Sequence, residues 1–547
     1  MDRGKISLKA NLPKPGDPLR LQMKLNLRLP NALRLRKNRQ APLYLRKRCL
    51  APLIVFCMSF SCWAKAPKIF SFHLKYEPVE IASQQLTTGE STYLFGNLYR
   101  GLIKYDDDHG LVFDLAQRCQ VKTSKEIHCT LKKNIKWSDG SPITAQDFVD
   151  SFLQLVSPGS RCPCLPLLNT IKNAKSIFLG KAKPSEFGMK ALSKDEIEFN
   201  LDEPDGEFLD KLSNPLLVPY RALKNSENRA QLLTNGPYKI KQWIKGQKII
   251  LEPNYYYPGH NPRPEIEIYF AAEDMTALNL YEKGKLGFLW RLPTSQIPVY
   301  KGRPDFFQKE VARFDYLGFN IRPGSTFEKK EVRKAFARAL DFNDFKKVFL
   351  AVDATSWCPG IGDNFLPPEG HCVEFVANQM AVNVSRPVTL YFSQLGGDDI
   401  KKMAEWFQSQ WSKNIKAKVE LRSMEQKTYL TMLAHNPPDI FRKGVALNRP
   451  TCLAAFEIFS KDHAENYVGF NNLRFENLVH ALATQKMNRS QRESTCGVAA
   501  DILFKEEFVA VPLGRIHFSM LMNPSFKGWR LNELNQLDLA DLEIVEK

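Results

Sequence analysis

A chain of 547 residues is too long to close around one hydrophobic core, because a single core stops growing at about 250–300 residues and longer chains divide. Two or three domains of ordinary size are expected, and with them a lobed molecule. Local patterns indicate how the lobes are built. Ile69–Leu74 and Glu126–Leu131 alternate apolar with other side chains, as strands do. Thr144 stands where its hydroxyl caps a helix, with Asp147 in the third position. Phe148, Phe152 and Val156 then line one stripe, with Val149 and Leu153 beside it. Residues 196–201, 238–243, 248–251 and Glu265–Phe270 read as further strands. A second lobe opens near Tyr316, with a strand over 316–320. A helix follows over 331–340, with Val332, Ala335, Phe336, Ala339 and Leu340 on one face. After it come a strand at 388–392, a helix at 398–412 and a strand at 419–421. That helix carries a buried stripe of Ile400, Met403, Ala404, Phe407 and Trp411. Strand, helix and strand at this spacing make a parallel crossover, so the second lobe is α/β and the first is mixed.

The net charge of +18 suggests nucleic acid until it is located along the chain. Residues 1–64 hold 14 Lys or Arg against 2 Asp or Glu, leaving 63 against 57 for the remainder, a dispersed excess of 6. Clamping nucleic acid needs a positive face, so no such partner is expected. The basic excess precedes one apolar run at 49–64, CLAPLIVFCMSFSCWA, directly after Arg46, Lys47 and Arg48. This is the plan of a secretory signal peptide, and the run is shorter than the ~20 residues a membrane span requires. Cleavage is expected after Ala64, since a cut after Ala66 would leave Pro67 first. The basic segment before the run is overlong, which a start codon assigned too far upstream explains. Ser61-Cys62 offers lipid attachment at Cys62 as the alternative, with Ser59 and Phe60 fitting that pattern poorly. Either route leads to the periplasm or cell envelope.

Eight cysteines follow residue 64, an even number that in an exported chain points to disulfides. Cys119 with Cys129, across a hairpin, and Cys358 with Cys372, across a Pro/Gly-rich loop, are the expected local pairs. Cys162-Pro163-Cys164 and His371-Cys372 are too sparse for a metal site, and no metal or other cofactor is expected. GxSxG, HExxH, GxxxxGK[ST] and GxGxxG are absent, and nine scattered histidines single out no base. A binding protein is therefore expected rather than an enzyme, with an envelope hydrolase as the alternative.

Five segments carry a resemblance. They are YLFGNLYRGLIKYD at 93–106, NIKWSDGSPITAQDFVDSF at 134–152, TNGPYKIKQW at 234–243, LEPNYYYPG at 251–259, and YLGFNIRPG with FEKKEVRKAFARALD within 316–341. In this order they resemble the oligopeptide and dipeptide family of extracytoplasmic solute-binding proteins, family 5 of the ABC transporter substrate-binding proteins. Taken physically, 137–140 is a turn suited to Asp139 and Gly140, and Gly236-Pro237-Tyr238 punctuates a strand start. These motifs mark the fold rather than ligand contacts. The resemblance implies an α/β, two-lobed, periplasmic-binding-protein-like fold with an extra subdomain in the first lobe and a hinge. The first lobe would span 65–313, the second 314–507, and 508–547 would return to the first. It also implies a monomer that captures a peptide-like ligand in the cleft, largely through the ligand's main chain, and delivers it to an ABC transporter permease.

The same resemblance implies site residues. In the first lobe these are Thr88, Gly89, Glu90 and Ser91, where Gly89 lets backbone approach closely. In the second lobe they are Phe441, Arg442, Lys443, Gly444, Ala446 and Arg449. Peptide-binding relatives hold the ligand's ammonium with the first acid of an Asp-Tyr-x-Asp-Pro or Asp-Tyr-x-Glu-Pro segment. Aligned on Pro450, this chain reads Ala446-Leu447-Asn448-Arg449-Pro450, with Ala446 in that acid's place and Arg449 in place of the second. Residues 439–444 are shortened, which leaves a second alignment shifted by two. A buried ammonium without a counter-charge is costly, so either another acid serves or the ligand has no free amino terminus there. Arg442, Lys443 and Arg449 suit a carboxylate or other anion, or else form a solvated basic edge. A cell-wall peptide, a metal chelate or an anionic solute is the alternative cargo, and a ligand sensor the alternative role.

Overall fold

The Ile69–Leu74 strand pairs in parallel with Glu265–Phe270, which continues antiparallel into Lys248–Pro253 and Tyr238–Ile244. Phe70, Phe72 and Leu74 are buried as their alternation requires. The opposite face is covered as well, because His73 lies under Trp290 with ring centroids 5.6 Å apart. A second, antiparallel sheet runs in the order Ala116–Thr123, Glu126–Leu131, Glu196–Asn200, Met189–Ala191. Beside it packs the Ala145–Leu155 helix, and one hydrophobic core joins the two sheets. The helix start is held from within the first turn. Asp147 accepts hydrogen bonds from the Thr144 amide at 2.8 Å and from its hydroxyl at 3.0 Å.

The computed structural model of the chain describes residues 69–78, 91–160, 162, 164–221, 231–259, 263–345, 348–349, 376, 384, 386–513 and 517–545. The chain divides into two units, Met1–Trp63 and Ala64–Lys547, and both lobes belong to the second. The expected signal segment, Cys62, Thr88, Gly89, Glu90 and the Cys358 and Cys372 pair lie outside the described residues. Cys119 and Cys129 face each other in strand register and are bonded. Cys162 with Cys164 and Cys452 with Cys496 are bonded too, pairs that the spacing had left open.

The second lobe is a five-stranded sheet in the order Val419–Met424, Val388–Ser393, Ile440–Ala446, Arg313–Phe319, Ala510–Pro512. Val388–Ser393 is parallel to both of its neighbours, and the Gly397–Ile415 helix forms the crossover to Val419–Met424. Along that helix Ala404, Phe407 and Trp411 are buried, and the Trp411 indole donates to the Phe336 carbonyl at 2.9 Å. The Lys330–Arg338 helix buries a cation that its apolar pattern does not show. Arg333 donates to the carbonyls of Phe327, Glu328 and Glu507 at 2.8–2.9 Å.

The chain crosses between lobes twice. It enters the second lobe after Phe306–Glu310 and rejoins the first at His517–Met522, which pairs antiparallel with that same strand. The expected return at 508 is corrected by the structure. Ala510–Pro512 pairs with Arg313–Phe319, and Val509, Val511 and Leu513 are buried in second-lobe cores, so the segment up to 513 belongs there. The C-terminal segment is then anchored in the first lobe by Asp538, which accepts from Arg100 and from Lys104 at 2.8 Å. Burial alone would raise the Asp538 carboxyl, but these two charges override it and hold it well below the usual carboxylate range.

His73 makes the first lobe sensitive to pH. Burial lowers its pKa from 6.5 to about 4, with Asp274 opposing and Lys75 assisting. Between these values the unfolded chain binds the proton and the folded chain does not. The stability is therefore complete above the unfolded pKa and is lost as pH falls toward the folded one, by up to about 3 kcal/mol. Thermal melts are expected to drop between pH 7 and pH 5, and His73→Phe, which keeps the stack on Trp290, should flatten that drop. An unchanged slope in the variant would remove His73 as its cause.

Candidate functional site

Strand register decides which side chains meet. Arg313–Phe319 runs antiparallel to Ile440–Ala446, pairing Arg313 with Ala446, Asp315 with Gly444 and Leu317 with Arg442. Side chains alternate across a sheet, so these six share one face, while Phe314, Tyr316, Phe441 and Lys443 share the other. On that second face Phe441 is fully buried, its ring 6.0 Å from Tyr316 and 6.2 Å from Tyr467. Phe441 is thus a core residue, which corrects its expected place among the ligand contacts. The Lys443 ammonium is drawn to the same side, 3.5 Å from a Glu465 carboxylate oxygen and 5.9 Å from the Tyr467 ring centroid.

The first face opens on a cavity of about 390 Å³. The second lobe contributes Arg313, Asp315, Ser393, Gln426, Tyr429, Arg442, Lys443, Gly444 and Ala446 to its wall. The first lobe contributes Arg291, Leu292, Thr294, Gln308, Phe518 and Ser519. Across it the Thr294 hydroxyl donates to Asp399 at 2.6 Å. Asp315, 2% exposed, accepts from Arg313 Nε at 2.6 Å and from a terminal nitrogen of Arg442. Gly444 makes this possible, because a Cβ at its position would collide with the Arg313 guanidinium and the Asp315 carboxylate. Tyr429 steadies the strand by donating to the Arg442 carbonyl at 2.7 Å. Burial pulls the Arg442 guanidinium below its ordinary range; Asp315 opposes this, and the like charges of Arg313 and Arg291 add to it.

Arg449 stands apart from the cavity. It is 1% exposed and donates to Glu207 through Nε and to Glu457 at 2.8 Å. Glu207 also accepts from Arg492 at 2.6 Å and Thr451 at 3.0 Å. Glu207 leads into the Phe208–Lys211 helix, whose Phe208 belongs to the first-lobe core, so this cluster ties the two lobes. Burial would lower the pKa of Arg449, but Glu207 and Glu457 hold it above the ordinary value. Asp210 nearby is pushed up to about 6 by burial and by the Glu207 charge. The expected role of Arg449 toward a ligand anion is thereby corrected, since its donors are already engaged by carboxylates of this chain.

Of the remaining expected residues, Arg442, Lys443, Gly444 and Ala446 line the cavity. Ser91 begins the Ser91–Leu98 helix, half-buried and away from that wall. Sequence reading missed Arg291, Arg313 and Asp315. A trace of the last two was present as charges at alternate positions in an otherwise apolar strand; Arg291 left none.

The profile of the bacterial extracellular solute-binding proteins, family 5, middle region, matches residues 110–466. The periplasmic murein peptide-binding protein of Escherichia coli is 23% identical over 496 residues, covering 86% of this chain and 91% of that protein. The periplasmic oligopeptide-binding protein of Salmonella typhimurium is 26% identical, with 82% and 88% covered. A probable deoxycholate-binding periplasmic protein of Escherichia coli is 24% identical, with 85% and 91% covered. Among solved structures, the murein tripeptide binding protein of Escherichia coli superimposes with a TM-score of 0.75 at 21% identity, over 87% of this chain and 98% of its own. An oligopeptide-binding protein of Borrelia burgdorferi gives 0.73 at 21% identity, with 87% and 100% covered. These likenesses establish the two-lobed fold.

The tie between the lobes is testable by substitution. Arg449→Ala leaves Glu207 buried with Arg492 as its remaining cation and is expected to lower the unfolding free energy by about 3–5 kcal/mol. Glu207→Ala added to it should restore part of that loss, because the stranded charge is gone. A single-variant loss well under 1 kcal/mol in urea titration would show that the cluster contributes little.

Proposed function

The chain belongs to family 5 of the bacterial extracellular solute-binding proteins, and on that premise we propose that it captures a peptide-like solute between its lobes and delivers it to an ATP-driven importer in the membrane. The observation that carries this reading is a cavity of about 390 Å³ walled by both lobes. That size lies within the roughly 300–1,000 Å³ of small-ligand sites. A ligand that touches both walls gains contacts in the closed arrangement that the open one lacks, and this difference drives hinge closure. The first crossing, between Glu310 and Arg313, supplies a hinge. A peptide is suited to this cleft because its main chain supplies a donor and an acceptor at each residue, leaving side-chain pockets permissive.

Two relatives are named for the peptides they bind, a murein peptide and an oligopeptide. A periplasmic address for this protein fits their names and fits bonded cysteine pairs, which persist in oxidising compartments. The reading makes the protein a monomeric carrier whose partner is a permease, and whose work consists of binding and release.

Native mass spectrometry of the protein purified from its own host is expected to show a small peptide travelling with it. Adding a pool of di- to pentapeptides to the ligand-free chain should contract its scattering radius and raise its melting temperature. Ligand at a hundred times its dissociation constant adds about 2.7 kcal/mol of stability. A bound compound that is not a peptide, with neither contraction nor stabilisation by the pool, would end the peptide reading.

A further inference from the structure

The cavity wall carries more positive charge than its carboxylates answer. Arg291, Arg313 and Arg442 all line it. Asp315 serves two of them, Arg313 at 2.6 Å and Arg442 through a terminal nitrogen. Arg291 is held loosely from outside the cavity, its Nε 3.6 Å from Asp274, which also takes the Lys75 ammonium at 3.1 Å. Asp399, also on this wall, accepts from Thr294. Among the described residues of the wall, three guanidinium groups thus stand with two carboxylates, of which Asp315 is hydrogen-bonded to Arg313 and Arg442 and Asp399 to Thr294. Like charges repel more strongly where water is excluded, and a buried donor without an acceptor is costly. Both conditions hold at Arg442, whose Nε is buried with no hydrogen-bond partner among the described residues.

We propose that this trio makes the cleft select ligands that carry a carboxylate beside the peptide backbone, so that acidic peptides bind in preference to neutral ones. This rests on the peptide-capture reading above. A guanidinium keeps its proton even when buried, so the repulsion is relieved by an arriving anion. Its planar fork offers paired donors that match a carboxylate. Asp315 is a positioning residue. It orients Arg313 and Arg442 side by side, and because both neutralise it, it presents little charge of its own to an incoming anion. Ala446, paired across the sheet with Arg313, leaves the wall there without an acid to receive a ligand ammonium.

The test is calorimetry on the full chain with two pools of di- to pentapeptides that differ only in carrying glutamate or the isosteric glutamine, and with citrate as an anion that is not a peptide. The glutamate pool is expected to bind about tenfold tighter, the difference between a charge-assisted and a neutral hydrogen bond, and to lose more affinity as salt is raised. Arg313→Gln should narrow the ratio several-fold, while Arg422→Gln, which removes an exposed charge outside the cavity wall, should leave it unchanged. Equal or tighter binding of the glutamine pool would overturn the inference and leave peptide capture standing. Citrate binding with no binding of either pool would overturn both the peptide reading and the preference for acidic peptides. Failure of both pools and of citrate would overturn the inference.

Discussion

The pairing of Arg313–Phe319 with Ile440–Ala446 determines the rest of the site. These strands lie in the middle of the second-lobe sheet, with Val388–Ser393 beyond one and Ala510–Pro512 beyond the other. One face of the pair must bury Phe314, Tyr316 and Phe441. Because side chains alternate, the other face is then obliged to present Arg313, Asp315, Arg442, Gly444 and Ala446 to the cavity. A slip by one residue would drive Arg442 into the core and turn Phe441 to the cleft. The aromatic core therefore sets the register, and the register places the charges.

Buried charge is used in two ways in this molecule. Where cations and carboxylates are matched, as at Arg449 with Glu207 and Glu457, or Asp538 with Arg100 and Lys104, the cluster locks one segment to another. Removing one member of such a set is costly because the partner is left uncompensated. Where the match is incomplete, as around Asp315, Arg442 keeps a buried Nε with no acceptor among the described residues. The two arginines concerned, Arg442 and Arg449, sit seven positions apart in one short segment and do opposite work. Glu207 comes from the first lobe to meet Arg449, whereas Arg442 is paired with Asp315 alone among the acids described on the wall.

Much of the fold was legible in the chain. Alternation marked Ile69–Leu74, Glu126–Leu131 and Glu265–Phe270, and the stripe of Ala404, Phe407 and Trp411 marked the crossover helix. Such signals are complete within a few turns of chain, so propensity and pattern suffice to read them. The burial of Arg333 was not legible, because carbonyls of Phe327, Glu328 and Glu507 make it possible and none is visible from the helix alone. The return of the chain was placed too early because a three-residue strand such as Ala510–Pro512 shows itself only through its partner.

The sequence by itself determined the lobed architecture, the elements of the second lobe and the membership of a solute-binding family, and it set the expectation of ligand contacts in the segment from 441 to 449. Each of these is written in local periodicity or in collinear motifs. Only the tertiary structure decided which cations of that segment face the cleft. Arg449 and Glu207 are 242 residues apart in the chain, and burial beside a partner that distant turns one arginine into a structural tie. Arg442, on the strand just before it, keeps a donor unanswered among the described residues at the cavity wall. Charge is carried by a residue type, but whether it is already neutralised depends on neighbours that only folding brings together.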